Sequence, residues 1–365
     1  MKSEIKERID LFSIGQIPQG YKNKRGKIYP ADWSIKKLSS VLEENKERNT
    51  SLDYSKDDVL SVSGEYGIVN QIKLLGRSYA GASVSNYHVV NIGDLVYTKS
   101  PLKSNPYGII KLNKNLPGIV STLYAVYKCP NSVTGNYLDY YFSIDNNVNN
   151  YLKPLVKKGA KNDMKISNTH VLTGEIAFPI IDEQRKIAEI LTHCDKVISI
   201  KKQFIEEKKK QKKWLMQNLL DPDSGVRLPG FEGEWKEDIL GNRGAFSKGN
   251  GISNDECRNG NVPCVKYGDI YMNFNIHFSD PVSFTTEEVV KNCPVVNKDA
   301  LLFTGSGEDA MEIGKCIVYM GKEPLNVGGD IIIMLPKNDS PLFLAYQQST
   351  SKLIKQKAML AQGSS

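Results

Sequence analysis

Four short patterns in this chain carry residue types that could do chemistry. Phe303-Thr304-Gly305-Ser306-Gly307 has the FxGxG form of a loop that cradles S-adenosylmethionine, and Asn105-Pro106-Tyr107 is close to the Asn-Pro-Pro-Tyr clamp of adenine methyltransferases. Pro222-Asp223, then ten residues, then Glu234-Trp235-Lys236 has the spacing of a PD…ExK nuclease, whose acids and lysine surround a magnesium ion. His193-Cys194 places a base beside a thiol. Context argues against each. The clamp lacks its second Pro, and 58 residues follow Gly307, whereas an α/β cofactor domain needs several strand–helix units after such a loop. The nuclease span DPDSGVRLPGFEGEWK is a Gly/Pro-rich linker with no room for a strand pair. His193 and Cys194 lie inside a helical run, with Cys194 on its apolar seam, where packing is the expected role. Short motifs out of context are mostly chance matches. A stand-alone methyltransferase or nuclease is therefore the alternative reading.

The helical run is the dominant element. From Asp182 to Leu220 there is no Gly and no Pro, so nothing forces a break. Ile187, Leu191, Cys194, Ile198, Ile205, Leu215 and Leu219 recur at alternating four- and three-residue steps, with Lys201, Lys208 and Lys212 filling the gaps. That spacing predicts a coiled-coil-like seam that needs a partner helix. A helix of this length extends roughly 58 Å. Between Asp182 and Lys213 stand ten basic and six acidic residues, so the helix is basic as well as long. A lysine-rich helix face is equally compatible with plain solvation.

Two regions on either side of this run repeat each other. Asp32-Trp33-Ser-Ile-Lys-Lys-Leu38 resembles Glu234-Trp235-Lys-Glu-Asp-Ile-Leu240, 202 positions on. Gly93-Asp94-Leu95-Val96-Tyr97-Thr98 resembles Asp299-Ala300-Leu301-Leu302-Phe303-Thr304, 206 positions on. Tyr137–Val156 and Leu342–Met359 both read as helices, each reaching a small-residue turn at Gly159-Ala160 or Gly363-Ser364. Between opening Trp and helix, each copy alternates β-branched and aromatic residues with Gly/Asn turns: Asp58–Val62, Leu95–Thr98, Ile119–Lys128, Asn261–Lys266, Lys315–Met320 and Gly329–Pro336. The expected fold class is α+β, with two compact, mostly antiparallel β domains joined by a long helix. The expected layout is 1–28 as a leading segment, 29–181 as the first domain, 182–220 as the helix and 221–365 as the second domain. In the first copy the helical part is followed by a strand at Ile176–Ile180 and the long helix; no second long helix is found in the sequence. Trp33 and Trp235 are expected to anchor the chain in each core rather than to stack on a base.

Composition is globular, 40% hydrophobic and 24% charged, with a net charge of +7 that permits nucleic acid binding without demanding it. The six Cys form no CxxC pair, the leading residues have no apolar signal core, and no run of about 18 apolar residues occurs. These features predict a reduced, cytoplasmic protein with no structural zinc site and no membrane span.

The chain resembles the specificity subunits of type I restriction–modification systems. The resemblance rests on Phe178-Pro-Ile-Ile-Asp182-Glu183-Gln184-Arg-Lys-Ile187-Ala188-Glu189-Ile190-Leu191, which is similar to the opening of that family's spacer helix, and on the two Trp-led domain openings. Ser85-Asn86-Tyr87-His88-Val89-Val90, Gly93–Tyr97 and Val265-Lys266-Tyr267-Gly268-Asp269-Ile270 are similar to its strand motifs. The resemblance implies a non-catalytic reader of a split DNA site. It implies two modification subunits that hold S-adenosylmethionine, two restriction subunits that use ATP and Mg, and no cofactor on this chain. The single long helix leaves three expectations open: a shortened active form, a chain that pairs with a second copy, or an inactive remnant. A dimeric coiled-coil DNA-binding regulator is a further alternative.

DNA contact needs cations for phosphates and polar side chains for base edges. In the first copy the candidates are Lys99, Ser100, Lys103, Ser104, Asn105 and Tyr107 after the repeated strand. Glu65, Tyr66, Lys73, Arg77 and Tyr79 form a second group in a Gly-rich run, and Lys157, Lys158, Lys161, Asn162 and Lys165 a third. In the second copy they are Lys248, Asn250, Lys266, Thr304, Ser306 and Glu308. Each residue taken singly also fits an ordinary polar loop.

Overall fold

The computed structural model describes residues 3–24, 27–158, 164–253, 255–257, 260–307 and 309–361, with only the backbone of Ser3, Glu4, Lys24, Lys27 and Lys158. Lys161, Asn162 and Glu308, and the turns at 159–160 and 363–364, lie outside the described residues. The architecture is mixed α/β, with two sheet-rich regions flanking one long helix in the chain. Two compact units divide at Ile200–Lys201, inside that helix.

Unit 1 runs α1 (Ser3–Ser13), β1 (Tyr21–Lys24), β2 (Lys27–Pro30), β3 (Ser34–Lys37), β4 (Glu43–Glu44), β5 (Leu60–Ser63), β6 (Gly67–Asn70) and α2 (Gln71–Leu75). There follow β7 (His88–Val90), β8 (Leu95–Thr98), β9 (Ile109–Leu112), β10 (Gly118–Val120), β11 (Tyr124–Lys128), α3 (Ser132–Ser143) and α4 (Asp145–Leu152). The unit ends with β12 (Lys157–Lys158), β13 (Met164–Lys165), α5 (Asn168–Val171), β14 (Glu175–Phe178) and the start of α6 (Ile181–Leu219).

Unit 2 holds the rest of α6, then α7 (Leu240–Arg243), β15 (Gly244–Lys248), β16 (Val262–Val265), α8 (Tyr267–Met272), β17 (His277–Phe278), β18 (Ser283–Thr285) and α9 (Glu287–Val290). It closes with β19 (Val295–Val296), β20 (Leu301–Thr304), β21 (Cys316–Tyr319), β22 (Leu325–Val327), β23 (Ile331–Pro336), α10 (Pro341–Gln348) and α11 (Ser351–Leu360).

The repeat seen in sequence is a repeat in topology. One sheet of unit 1 has the order β4-β11-β8-β9, and one sheet of unit 2 has β15-β23-β20-β21, extended by β17. The remaining strands correspond as well. In unit 2 they form β18-β16-β22-β19, with β16 and β22 parallel. In unit 1 the pairs β6–β5 and β10–β7 are joined by a parallel bridge from Val59 to Ile119. The equivalence holds to the hydrogen bond. Gly93 N donates to Asn113 O (2.8 Å) and Asn113 N to Asp94 O (2.8 Å). Asp299 N donates to Tyr319 O (2.7 Å) and Tyr319 N to Ala300 O (2.9 Å), each 206 positions later. Gly93 and Asp299 both adopt a left-handed backbone, φ 94° and 78°.

The central strands β8 and β20 are buried along their whole length, which suits their unbroken apolar runs LVYT and LLFT. The main core of unit 1 packs Leu95, Tyr97, Ile110 and Tyr127 of the sheet against Leu138 and Phe142 of α3 and Leu152 of α4. Burying each such side chain contributes roughly 1.5–3 kcal/mol. The helix expected at Tyr137–Val156 is two helices broken at Ile144, where the backbone is extended. The stretch Ile119–Lys128 is likewise two strands, with Tyr124 N turning back onto Ser121 O.

Helix α6 has the expected extent. Asp182 and Glu183 in its first turn suit the positive end of the helix dipole. Exposed pairs Arg185–Asp182, Lys209–Glu206 and Lys210–Glu207 lie along it. Its attachment to unit 1 is specific. Ile187 packs on the core, and the Trp33 indole N–H donates to Glu183 Oε2 at 3.1 Å. Trp33 is thus tied into the fold. No described helix is long and apolar enough to cross a membrane.

Gly108 (φ 91°) and Gly314 (φ 75°) end equivalent ten-residue loops, Lys99–Gly108 and Gly305–Gly314. A Cβ on Gly108 would lie 1.9 Å from the Thr98 carbonyl oxygen, whereas one on Gly314 meets the flexible Lys357 chain at 2.9 Å. Gly108→Ala is therefore expected to cost about 2–4 kcal/mol and Gly314→Ala about 1 kcal/mol. Denaturant unfolding of the two variants measures the difference.

Candidate nucleic-acid interface

In unit 2 the candidate residues converge at one end of both sheets. Five backbone hydrogen bonds draw the segments together: Gly249 N to Ile331 O (2.8 Å), Asn250 N to Val327 O (3.2 Å), Gly305 N to Asp330 O (2.7 Å), Gly328 N to Val265 O (2.9 Å) and Gly329 N to Gly251 O (2.7 Å). Glycine is needed for this approach, since a Cβ on Gly249 would fall 1.9 Å from Gly328 O. Lys248, Asn250 and Ser306 are exposed there, and Lys266 is half-buried at the start of α8. Asn250 donates its amide to Asn292 O at 3.2 Å.

Thr304 points inward. Its Oγ1 lies 2.8 Å from the Tyr271 hydroxyl and accepts from Lys315 N at 3.0 Å, so it holds the following loop in place. The Tyr271 hydroxyl also approaches Ser306 O (3.1 Å) and Glu312 O (2.8 Å), and burial pushes its pKa up to about 12. Lys315 turns its ammonium to the carbonyls of Ile270 (2.6 Å) and Phe274 (2.8 Å) at the end of α8.

In unit 1 two of the three candidate groups meet. Lys99 Nζ donates to Asn168 Oδ1 (2.8 Å), and Asn168 Nδ2 donates to Glu44 Oε1 (2.8 Å). The Tyr97 hydroxyl donates to Tyr107 O (2.8 Å) and lies 3.9 Å from Met164 Sδ, joining the β8–β9 loop to the β12–β13 hairpin. Burial lowers the Lys99 pKa. Asn105 is buried and gives its amide to Asp145 Oδ1 (3.0 Å), and Asn149 donates to Ser104 O (2.8 Å). Both bonds tie the loop to α4. Ser100, Lys103, Ser104, Lys157 and Lys165 are exposed.

The group in the Gly-rich run lies elsewhere. Glu65 and Tyr66 form the tip of the β5–β6 hairpin and line a cleft of about 230 Å³ with Lys111, Lys114, Asp139 and Asp195. That is the Leu112 end of β9, opposite the end that carries Lys99 and Gly108. Lys73 is exposed on α2, and the Arg77 guanidinium stacks 4.6 Å from the Tyr79 ring.

The enzyme-like patterns sit in ordinary structural positions. Phe303–Gly307 leaves a buried strand and returns antiparallel in β21, not into a helix. Asp223 pairs with Lys352 at 3.0 Å. Among the described residues, no three His, Cys, Asp or Glu side chains group so as to hold a metal ion.

Comparison with known proteins gives likeness at the level of solved structures. One, described as the structural basis underlying complex assembly and conformational transition of the type I R-M system, is 16% identical and covers 89% of this chain and 82% of its own, with a TM-score of 0.48. The HsdS subunit from Thermoanaerobacter tengcongensis is 14% identical, covering 91% and 85%, with a TM-score of 0.45. The type I restriction–modification S subunit from M. genitalium is 17% identical, covering 89% and 79%, with a TM-score of 0.44. No protein-family model and no curated protein matches the chain.

The duplication exposes candidates that sequence reading missed. Glu44 pairs with Tyr127 as Phe246 pairs with Met334, and Tyr127 and Met334 both pair with the first residue of a central strand, Leu95 or Leu301. Counting on by two and four residues makes Lys46 and Arg48 the counterparts of Lys248 and Asn250. Both are exposed, and Arg48 donates to Asn86 O at 2.7 Å. The 202-residue offset between the two Trp openings already contained this signal.

Beside Arg48 lies His88, 2% exposed, with Nδ1 lacking a partner among the described residues. Burial, then the charges of Arg48 and Lys99, lower its pKa to about 4. The folded state therefore binds fewer protons than the unfolded chain. The resulting stability is complete above about pH 6.5 and is lost as pH falls toward 4, to a maximum of roughly 3 kcal/mol. His88→Gln, which cannot take up this proton, is expected to flatten the stability profile of unit 1 between those values in pH-dependent denaturation.

Proposed function

We propose that this chain is the DNA specificity subunit of a type I restriction–modification complex. The observation that carries the reading is the duplication: one β fold occurs twice with the same strand order and register, separated in the chain by a 39-residue helix. Two similar readers joined by one continuous helix suit a split site whose middle is unread. Each unit would read a few base pairs through loops at the sheet ends, with α6 fixing the gap. Modification subunits would supply S-adenosylmethionine and the catalytic residues, and restriction subunits would supply ATP- and Mg-dependent cleavage. On this reading the chain directs adenine methylation without chemistry of its own.

The seam of α6 supports pairing with a second copy. Leu191, Ile198, Ile205 and Leu215 are 38%, 52%, 52% and 39% exposed, whereas Ile187 is taken up by the unit 1 core. A parallel, in-register pair would stack Lys201, Lys208 and Lys212 each against itself. An antiparallel pair centred on Gln203 sets Leu191 against Leu215, Cys194 against Lys212, Ile198 against Lys208 and Lys201 against Ile205. No layer then holds two ammonium groups, and each Lys stem can cover apolar surface while its charge reaches water. The two-fold axis of such a pair would be mirrored in its DNA site.

Lys103→Ala and Lys248→Ala are each expected to weaken binding to all duplex sequences alike and to reduce the salt slope of log K by about one. An unchanged slope removes the phosphate contact. Co-expression with a modification subunit, followed by mapping of N6-methyladenine, tests the function itself. A split motif with a fixed unread gap is the expected result, and a symmetric motif reports pairing through α6. Methylation no higher than background, from a complex shown to assemble, overturns the reading.

A further inference from the structure

The two copies differ in what covers one face of the sheet. In unit 1, β3 follows Trp33 and pairs antiparallel with β14, Ile35 opposite Ala177. Ile176 and Phe178 enter the core, with Phe178 6.1 Å from Tyr137. Past Pro179, Glu183 receives the Trp33 indole N–H. The same stretch of chain lays α5 over the sheet, where Asn168 bonds Glu44 and its carbonyl accepts from the Tyr127 hydroxyl.

In unit 2 no such strand and helix cover the corresponding face among the described residues. Lys236–Ile239 occupies the position of β3 after Trp235 but forms no strand among the described residues, and Ile239 is 72% exposed. Phe246 and Ile332 are 45% and 38% exposed, at the sheet positions where unit 1 has Glu44 and the fully buried Ala125. These residues, with Trp235, Phe343 and Met359, line a cleft of about 2010 Å³. Lys209, Lys212 and Lys213 form its basic wall.

We propose that this cleft is a strand-addition site for a partner polypeptide carrying a strand–proline–helix segment of the Glu175–Ala188 type. The partner would lay an alternating apolar strand along Lys236–Ile239 and insert its two inward side chains between Phe343 and Ile332. A carboxylate in the first helical turn would reach the Trp235 indole. Main-chain hydrogen bonds give such sites affinity, and pockets for alternate side chains give specificity. The lysine wall suits a helix opening with Asp-Glu, as α6 itself does. This inference rests on the duplication and is independent of the DNA-reading role.

The test is titration of the full chain with a synthetic peptide of residues 173–191 of this sequence, followed by calorimetry and Trp fluorescence. Saturable binding is expected, weakened tenfold or more by Trp235→Ala and by Ile332→Lys and unchanged by Trp33→Ala. Ile332→Lys alters an exposed strand position, so it remains informative if Trp235→Ala disturbs folding. No saturable binding at about 1 mM peptide, weaker than about −4 kcal/mol, overturns the proposal. So does binding that survives Ile332→Lys, or binding that is lost with Trp33→Ala, which would place the peptide on unit 1.

Discussion

A strand buried on both faces cannot leave a backbone group unpaired, and each unit is organised around one such strand. Strands β8 and β20 have neighbours on both sides, and their ends are fixed by hydrogen bonds as well: Gly93 and Asp299 precede them, and Thr98 and Thr304 are their last residues. The loops with exposed polar residues start from these pinned ends. In unit 2 the constraint extends to a cluster of glycines, in which Gly249 approaches Gly328 too closely for any side chain. In unit 1 side chains do the same work, through the Lys99–Asn168–Glu44 chain and the Tyr97 hydroxyl.

Charge is distributed differently on the same frame. The Lys99–Gly108 loop carries Lys99 and Lys103, whereas the described part of the Gly305–Gly314 loop carries Asp309 and Glu312. In unit 2 Lys248 stands on β15 and Lys266 at the head of α8. Lys99 is also less available than its place in the sequence suggests, because it is half-buried and bonded to Asn168. A shared fold therefore does not imply that the two units grip a polyanion with the same strand or loop.

Much of this was legible in the sequence, for stated physical reasons. Helix α6 shows itself through unbroken helix-forming residues and a heptad-like stripe, and the central strands through apolar runs longer than a half-buried strand carries. The two offsets, 202 and 206, proved to be register equivalences and not only likenesses. Less was legible where pairing is non-local. The parallel contact of β16 with β22 joins residues some sixty positions apart and leaves no short-range signal. The break at Ile144 carries no Gly or Pro. The inward turn of Asn105 and Thr304 depends on partners, Asp145 and Tyr271, that sequence spacing does not reveal. Composition groups Glu65 and Tyr66 with the other polar loops, whereas the hairpin carries them to the far end of β9.

The loops Lys99–Gly108 and Gly305–Gly314 have the same length, spring from a Thr at the end of the same strand and close on a left-handed glycine, yet share almost no residues between those anchors. The two Thr and Gly108 are buried, Gly314 is half-buried, and most of the described residues between these anchors are exposed. Such a loop behaves as a cassette. Mutation or recombination can rewrite its middle while the frame that folds the domain is inherited unchanged, so what the surface touches can diverge far faster than the structure that displays it.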